Sequence, residues 1–467
     1  MYTTSKFNHL TKIELPDGAS RYILSNLLTG ASMIINKKYY DIFISDKVLP
    51  ENVDKDFLHH LLNRCFIYKD IEEEEAVICK VAEKYCDRES LAAGLGGGYY
   101  GFITSLHCNL ACPYCFQRKN ASKFGFLTKE MIDKAIDFIY KNEEMIKEKF
   151  KLDITSPKIS VTGGEPLLLN KENKEAFLHL IKRLNEMNYQ YSITTNGTNL
   201  IEFSEYFTPG ENCRNIQVTL DGPREIHDKR RKYKDGSPSF DIICSNIDFA
   251  LKQNWKITLR VNLDMNNVAY LSQLADYIID REFYNNKNFY AYVSPVTDHG
   301  NLGDYETPKD EADLLETLLG IVEKKPYIKE VFDIKHFRGF NYVERMLIEN
   351  NPRYPVLFRC EAVMGMYIFA PEGDIYMCLE SVGDPSLSVG KYSPDLVLNE
   401  EIYSKWARRN VMNLKDCQNC KIKFLCAGGC SMECINNNTE SACMPFLREM
   451  DMAWKYYGRT KPELFAV

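Results

Sequence analysis

The chain has 467 residues, enough for roughly two to four domains, with ordinary shares of hydrophobic and charged residues and nothing that suggests disorder. A net charge of −7 leaves no basic footprint, which argues against a nucleic-acid partner and for a peptide or small molecule. Residues 1–7 lack the apolar core of a signal peptide and no uncharged apolar run is long enough to span a bilayer, so the expectation is a cytoplasmic protein with no membrane partner. In that reducing compartment the 16 cysteines imply metal rather than disulfides.

Residues 1–92 read as a first unit. Ile13–Gly18, Tyr22–Asn26 and Ala31–Ile35 predict strands separated by turns, and Lys38–Ser45 and Lys55–Asn63 predict helices, the second with an apolar stripe of Leu58, Leu61 and Leu62. Small strands beside two or three helices describe a winged-helix module, and Glu72–Glu75 marks a solvated helix start. Cys65, Cys79 and Cys86 have no metal spacing and read as core thiols. The glycine-rich run 91–98 reads as a linker.

Residues 93–305 alternate strand, loop and helix. Strands are expected at Phe102–Ser105, Lys158–Thr162, Tyr191–Thr195, Asn215–Leu220, Lys256–Leu263 and Phe289–Val293, with helices at Lys129–Lys149, Lys174–Asn188, Phe240–Gln253 and Tyr270–Arg281 between them. Such repetition predicts an α/β fold with a parallel sheet curved into a partial (β/α)6 barrel. The polar and glycine-rich words all follow strand C-termini, where such barrels carry their active sites. Residues 306–354 read as bridging helices, Pro308–Lys325 and Ile334–Glu349, before a cysteine-rich region at 355–467.

Cys108, Cys112 and Cys115 fall within eight residues, and Pro113 disfavours a regular helix through them. Three thiolates where an iron-sulfur cube needs four ligands leave one iron open for chemistry. Buried structural cysteines are the bland competitor, although free cysteines rarely come so densely. Downstream, Cys360 and Cys378 flank a hairpin turning at Pro371–Gly373, and Cys417, Cys420, Cys426, Cys430, Cys434 and Cys443 follow. Zinc competes here, but its knuckles usually come in separated pairs or with histidines, and no His occurs after His336.

The CxxxCxxC loop with Tyr114 and Phe116 resembles the cluster motif of the radical S-adenosylmethionine (SAM) superfamily, and Gly163–Pro166, Thr194–Thr198 and Leu220–Pro223 with His227, Asp228, Arg230 and Ser239–Asp241 resemble its further motifs. Residues 360–443 resemble the SPASM domain, and residues 10–90 the leader-peptide recognition element of maturases of ribosomally made peptides. The resemblance implies a radical SAM-type barrel between an N-terminal winged-helix module and a C-terminal Cys-rich SPASM domain. It implies three 4Fe-4S clusters and SAM as cofactors. The first cluster would sit on Cys108, Cys112 and Cys115. The outer auxiliary cluster would take Cys417, Cys420, Cys426 and Cys443, and the inner one Cys360, Cys378 and Cys430, its fourth position being either Cys434 or open to a substrate thiolate. SAM contacts would come from Tyr114, Gly163, Gly164, Glu165, Pro166, Thr195, Asn196, Asp221 and Arg260, with Glu165 and Asn196 meeting the ammonium and ribose and the paired glycines letting the backbone approach the methionyl end.

The activity implied is generation of a 5′-deoxyadenosyl radical that installs cross-links, Cys-to-carbon thioethers foremost, in a precursor peptide carrying an N-terminal leader, with a flavodoxin or ferredoxin as reductant. Alternatives are carbon-carbon cross-linking, sulfatase-maturase-like oxidation, a quinone-cofactor precursor enzyme, and an iron-sulfur or zinc scaffold without SAM chemistry. Sulfatase maturases carry an aspartate base directly after the position of Cys378. Here Leu379 stands there, with Glu380 next, so the base is unassigned and Glu380 is a speculative candidate.

Overall fold

In the computed structural model the described residues are 2–45, 53–85, 97–117, 124–153, 155–299, 305, 310–351, 355–358 and 360–466. Near the N-terminus β1 (Thr3–Thr4) pairs with β5 (Ile67–Tyr68), and β2 (Asn8–Glu14), β3 (Ser20–Asn26) and β4 (Ser32–Ile35) form an antiparallel sheet in that order. The expected strand at Ile13 starts five residues earlier, because His9, Thr11 and Ile13 form one buried face. Helices α1 (Lys37–Ile44), α2 (Lys55–Asn63) and α3 (Ile71–Tyr85) complete the segment, the first two capped by Asn36 and Asp54.

Two expectations about this region change. Cys65 lies half-buried in a left-handed turn after α2, and Cys79 is exposed on α3, so neither is a core thiol; Cys86 lies outside the described residues. The linker also ends more firmly than its composition suggests. Residues 91–96 fall outside the description, but the Gly98 amide donates to the Glu143 carboxylate at 2.9 Å, and a Cβ on Gly97 or Gly98 would stand 2.7 or 2.6 Å from Glu143 or Tyr100. These two glycines are there for close packing.

Six parallel strands follow in sequential order: β6 (Tyr99–Ile103), β7 (Lys158–Thr162), β8 (Gln190–Thr194), β9 (Cys213–Thr219), β10 (Ile257–Leu263) and β11 (Phe289–Pro295). Between them run α4 (Lys129–Phe150), α5 (Lys171–Glu186), α6 (Leu200–Ser204), α7 (Arg224–Arg230), α8 (Phe240–Lys252) and α9 (Leu271–Asp280). This is the expected parallel α/β sheet, with β6 beginning three residues before the predicted Phe102. Apolar side chains from strands and helices merge into one core that includes Phe102, Val161, Ile193, Val218 and Leu259, each at most 1% exposed.

After α10 (Glu311–Lys324), α11 (Tyr327–Val331) and α12 (Arg338–Leu347), the chain returns to the sheet. Strand β12 (Tyr367–Phe369) pairs in parallel with β6, and β13 (Asp374–Tyr376), β14 (Gly390–Lys391) and β15 (Val397–Leu398) add antiparallel strands beyond it. The predicted hairpin around Gly373 therefore extends the barrel sheet, a pairing its short sequence does not announce. Helices α13 (Glu400–Ala407), α14 (Lys423–Cys426), α15 (Ser431–Asn437) and α16 (Phe446–Thr460) finish the fold. Helix α16 packs on β2, where Asp451 accepts hydrogen bonds from His9 and Thr11 at 2.8 and 2.6 Å. Phe7 meets Phe424 in a core shared with Leu28, Ile78, Leu414 and Cys417, so the N-terminal segment is built onto the cysteine-rich loops. Among the described residues no helix is long and apolar enough to cross a membrane.

Candidate active site

The C-terminal ends of the parallel strands and the loops flanking β12 and β13 enclose a cavity of about 490 Å³. Cys108, Cys112 and Cys115 line it from the loop after β6, and Cys360 and Cys378 line it from the C-terminal region. The first loop is irregular, as Pro113 requires, and is tied to the segment after α7 by Ala111 N–H to Lys232 O and Lys234 N–H to Asn109 O. Burial, then the charge of Glu165, pushes the Cys108 thiol up to about 12; burial also raises Cys112, against the opposing charge of Arg231. Thiols so enclosed ionise readily only against a cation, which a bound iron centre supplies. The buried Arg231 donates to the Tyr114 hydroxyl at 2.8 Å, while its Nε has no partner among the described residues. Three thiols on one loop of a roomy, partly cationic cavity fit an iron-sulfur cluster and a zwitterionic cofactor.

Each motif plays a definite role in this wall. A Cβ on Gly163 would come within 2.4 Å of Ser105 O, and one on Gly164 within 2.2 Å of His107 O. The absent side chains thus let β7's end pack against the backbone leading into the cysteine loop. Glu165 is also turned inward, fully buried, with one oxygen accepting from Thr195 Oγ1 at 2.6 Å and Leu167 N at 2.8 Å and the other from Asn196 N at 2.6 Å. Burial raises its pKa despite these bonds. Asn196 donates to Asn109 Oδ1 at 2.7 Å, and its own Oδ1 accepts from Thr198. These bonds form a clamp that joins the ends of β7 and β8 to one another and, through Asn196 and Asn109, to the cysteine loop.

Tyr114, Gly163, Gly164, Thr195, Asn196 and Arg260 line the cavity, whereas Glu165, Pro166 and Asp221 stand behind it. Asp221 is buried, accepting from the Tyr114 hydroxyl and from Asn262 N, and its own amide donates to His227. Gln217, Thr219, Arg231, Asn262 and His299 line the cavity without having been singled out. Most were readable: Gln217 and Thr219 in β9, and Arg260 and Asn262 in β10, are polar residues at spacing two, the period of a strand with one face inward.

The later cysteines fall into two groups. Cys360, Cys378 and Cys430 lie within one another's electrostatic reach, as does Cys417 with Cys420, Cys426 and Cys443. Burial, then the charge of Cys360, raises Cys378. Burial would raise Cys430 as well, but the hydrogen bond and charge of His299 leave it below the ordinary thiol value. His299 Nδ1 lies 2.7 Å from Glu380, and although burial opposes it, the bonds to Cys430 and Glu380 hold the imidazole up at about 10. Cys434 is buried and accepts from Arg409 Nη2 at 3.2 Å; the same guanidinium donates to the carbonyls of Gly428 and Glu440. Among the described residues no three His, Cys, Asp or Glu side chains gather closely enough to hold a single metal ion, and no cysteine is in a disulfide.

Residues 102–278 match the family model of the Radical SAM superfamily. Over 349 residues the chain is 25% identical to the cysteine-type anaerobic sulfatase-maturating enzyme of Clostridium novyi (strain NT), an alignment covering 70% of this chain and 85% of the relative. Native anSMEcpe with bound AdoMet has a TM-score of 0.55 at 19% identity, covering 79% of this chain and 98% of that one. Streptococcus suis SuiB bound to precursor peptide SuiA has a TM-score of 0.52 at 15% identity, covering 94% and 98%. These two likenesses establish a common fold.

Proposed function

We propose that this enzyme, whose residues 102–278 form a radical SAM domain, is a maturase that installs Cys-to-carbon thioether cross-links in a ribosomally made precursor peptide. The observation that carries this reading is a single cavity lined both by Cys108, Cys112 and Cys115 and by Cys360 and Cys378. The first three would hold a 4Fe-4S cluster with SAM, which supplies on reduction the 5′-deoxyadenosyl radical that takes a hydrogen atom from carbon. Around it the protein fixes geometry: Glu165 and Asn196 brace the cysteine loop, Asp221 and Arg231 hold Tyr114, and the buried walls keep water out.

Two auxiliary clusters would occupy the other cysteine groups, and Arg409 supports leaving Cys434 out of the inner one, with that position open to a substrate thiolate. A flavodoxin or ferredoxin would supply the electron that cleaves SAM; forming each C–S bond then takes one hydrogen atom from carbon, carried off in 5′-deoxyadenosine, and one proton from sulfur, and the surplus electron leaves through the clusters. Residues 1–92 would bind the leader as a winged-helix recognition element, with β4, the edge strand opposite the β2 edge that packs on α16, as the edge to which the peptide adds a strand.

Anaerobic reconstitution should yield 5′-deoxyadenosine under reduction, and a Cys-rich precursor encoded beside this chain should become lighter by two hydrogens per cross-link. Intact clusters without 5′-deoxyadenosine would refute the radical chemistry. Carbon-carbon links in a cysteine-free precursor would move the enzyme to that branch. The pairing of Glu380 with His299 at the cavity wall favours a second reading, sulfatase-maturase-like oxidation, which predicts turnover of a sulfatase-derived peptide.

A further inference from the structure

Three arginines stand at or behind the wall of the cysteine cavity, and they are partnered differently. Arg230 lies 3.4 Å from Asp221 and 2.8 Å from Asp264, so its charge is met. Arg231 donates to the Tyr114 hydroxyl and is the charge acting most strongly on Cys112, which sets it beside the first cysteine loop. Arg260 lines the cavity from β10 with neutral partners: its Nε donates to Asn262 Oδ1 at 2.7 Å and its Nη2 to Ser294 Oγ at 3.1 Å. Among the described residues no carboxylate forms an ion pair with it, and Asp333, on the segment beside β11, is taken up by Lys335 and the Tyr290 hydroxyl at 2.8 and 2.7 Å. A guanidinium keeps its proton at any physiological pH, so this charge is held in the cavity wall without an anion.

Its position is a junction. Ser294 lines both the cysteine cavity and a second one, of about 660 Å³, which adjoins the first across Ser294–Thr297 and His299. On the wall of the second cavity His336 stacks on Tyr292, ring centroids 4.7 Å apart. Burial, then the charge of Arg260, holds that imidazole down at about 4, with Arg338 acting the same way and Asp333 opposing. The histidine is therefore neutral, and two guanidinium groups set the sign of the field where the cavities meet.

We infer that Arg260 binds a carboxylate side chain, of the aspartate or glutamate type, on the peptide whose reacting residue occupies the cysteine cavity, at the point where that peptide passes toward the second cavity. The inference rests on the peptide-maturase reading for the ligand's identity. SAM also carries a carboxylate, but a SAM bound at the first cluster lies nearer Arg231, which adjoins Cys112 and whose Nε meets no described residue. Bonds to Asn262 and Ser294 fix the plane of Arg260 beforehand, so it loses little freedom in forming a charge-assisted pair. A neutral residue in the peptide would leave that guanidinium unpaired, which makes the contact selective.

The test uses full-length protein loaded with its clusters and saturated with SAM, and two probes of equal shape, acetyl-glutamate methylamide and acetyl-glutamine methylamide, titrated by saturation-transfer NMR. The glutamate probe should bind about tenfold more tightly, and the ratio should shrink with added salt. Arg260→Gln and Arg260→Met should each bring the ratio near one, whereas Arg260→Lys, which keeps the charge but not the fork, should retain part of it. Equal binding to the unaltered protein overturns the inference, as does a ratio that survives the first two substitutions. Equilibrium dialysis of SAM separates the two sources of carboxylate: a loss of about tenfold or more in SAM affinity on Arg260→Gln would give the guanidinium to SAM and overturn the peptide assignment. Iron content and thermal midpoint report whether each variant folds, and the second neutral variant serves if the first does not. Formation of 5′-deoxyadenosine by the unaltered protein is measured separately: its absence removes the radical reading while leaving the binding ratio to stand or fall alone.

Discussion

The two sides of the cysteine cavity are made differently. Cys108, Cys112 and Cys115 hang from a parallel strand, and their loop is braced by backbone bonds from the end of β7 and the segment after α7 and by the Asn196 amide beyond β8. Cys360 to Cys443 occupy loops, short helical turns and a hairpin, held by side chains from distant segments such as Arg409 and Phe7. The first side is rigid because its scaffold is a sheet. The second depends on cross-links between loops, and thus on a segment more than three hundred residues away in the chain.

That contrast can be broken most severely at Gly164. Adding a methyl group in Gly164→Ala drives it onto a backbone carbonyl that cannot move without displacing the cysteine loop, so 5′-deoxyadenosine formation should fall by about 100-fold or more while the iron of the C-terminal cysteines persists. On the other side, Phe7→Ala should cost about 3–5 kcal/mol in denaturant unfolding and selectively loosen the iron held near Cys417. For the same reason, removing residues 1–85 would strip a face from the cysteine-rich loops, and a truncated protein that kept its full iron content and thermal midpoint would contradict this packing.

A smaller effect is expected at Cys434. If its sulfur serves packing with Arg409, Cys434→Ala keeps all iron and loses about 1 kcal/mol, whereas loss of the inner cluster's spectroscopic signature would make it a ligand. The smallest lies at Asp451. Burial would raise its pKa, but hydrogen bonds from His9 and Thr11 hold it below the usual aspartate value. Its stabilising effect is thus present above the ordinary value and lost as pH falls through the lowered one. Asp451→Asn should lower the thermal midpoint by a few degrees near neutrality, and the difference should close as pH falls through the lowered aspartate value.

Much of this was legible beforehand because local chemistry dominates there. Alternating strand and helix patterns named all six barrel strands, and Cys108-Asn109-Leu110-Ala111-Cys112-Pro113-Tyr114-Cys115 declared its loop. The packing of Gly163, Gly164 and Glu165 against neighbouring segments was not legible, since glycines and a carboxylate that meet distant backbone carry no local pattern that says so. His299 was missed because its partners, Glu380 and Cys430, lie 81 and 131 residues further on.

By itself, then, the sequence determined the kinds of elements, their order and the density of thiols, all of which follow from side-chain periodicity and spacing. Tertiary structure alone decided that β12 joins β6 and that Phe7 packs against the last cysteine loops. Such contacts arise from the closure of the whole chain around a common core, and no local pattern encodes which distant surfaces will be pressed together.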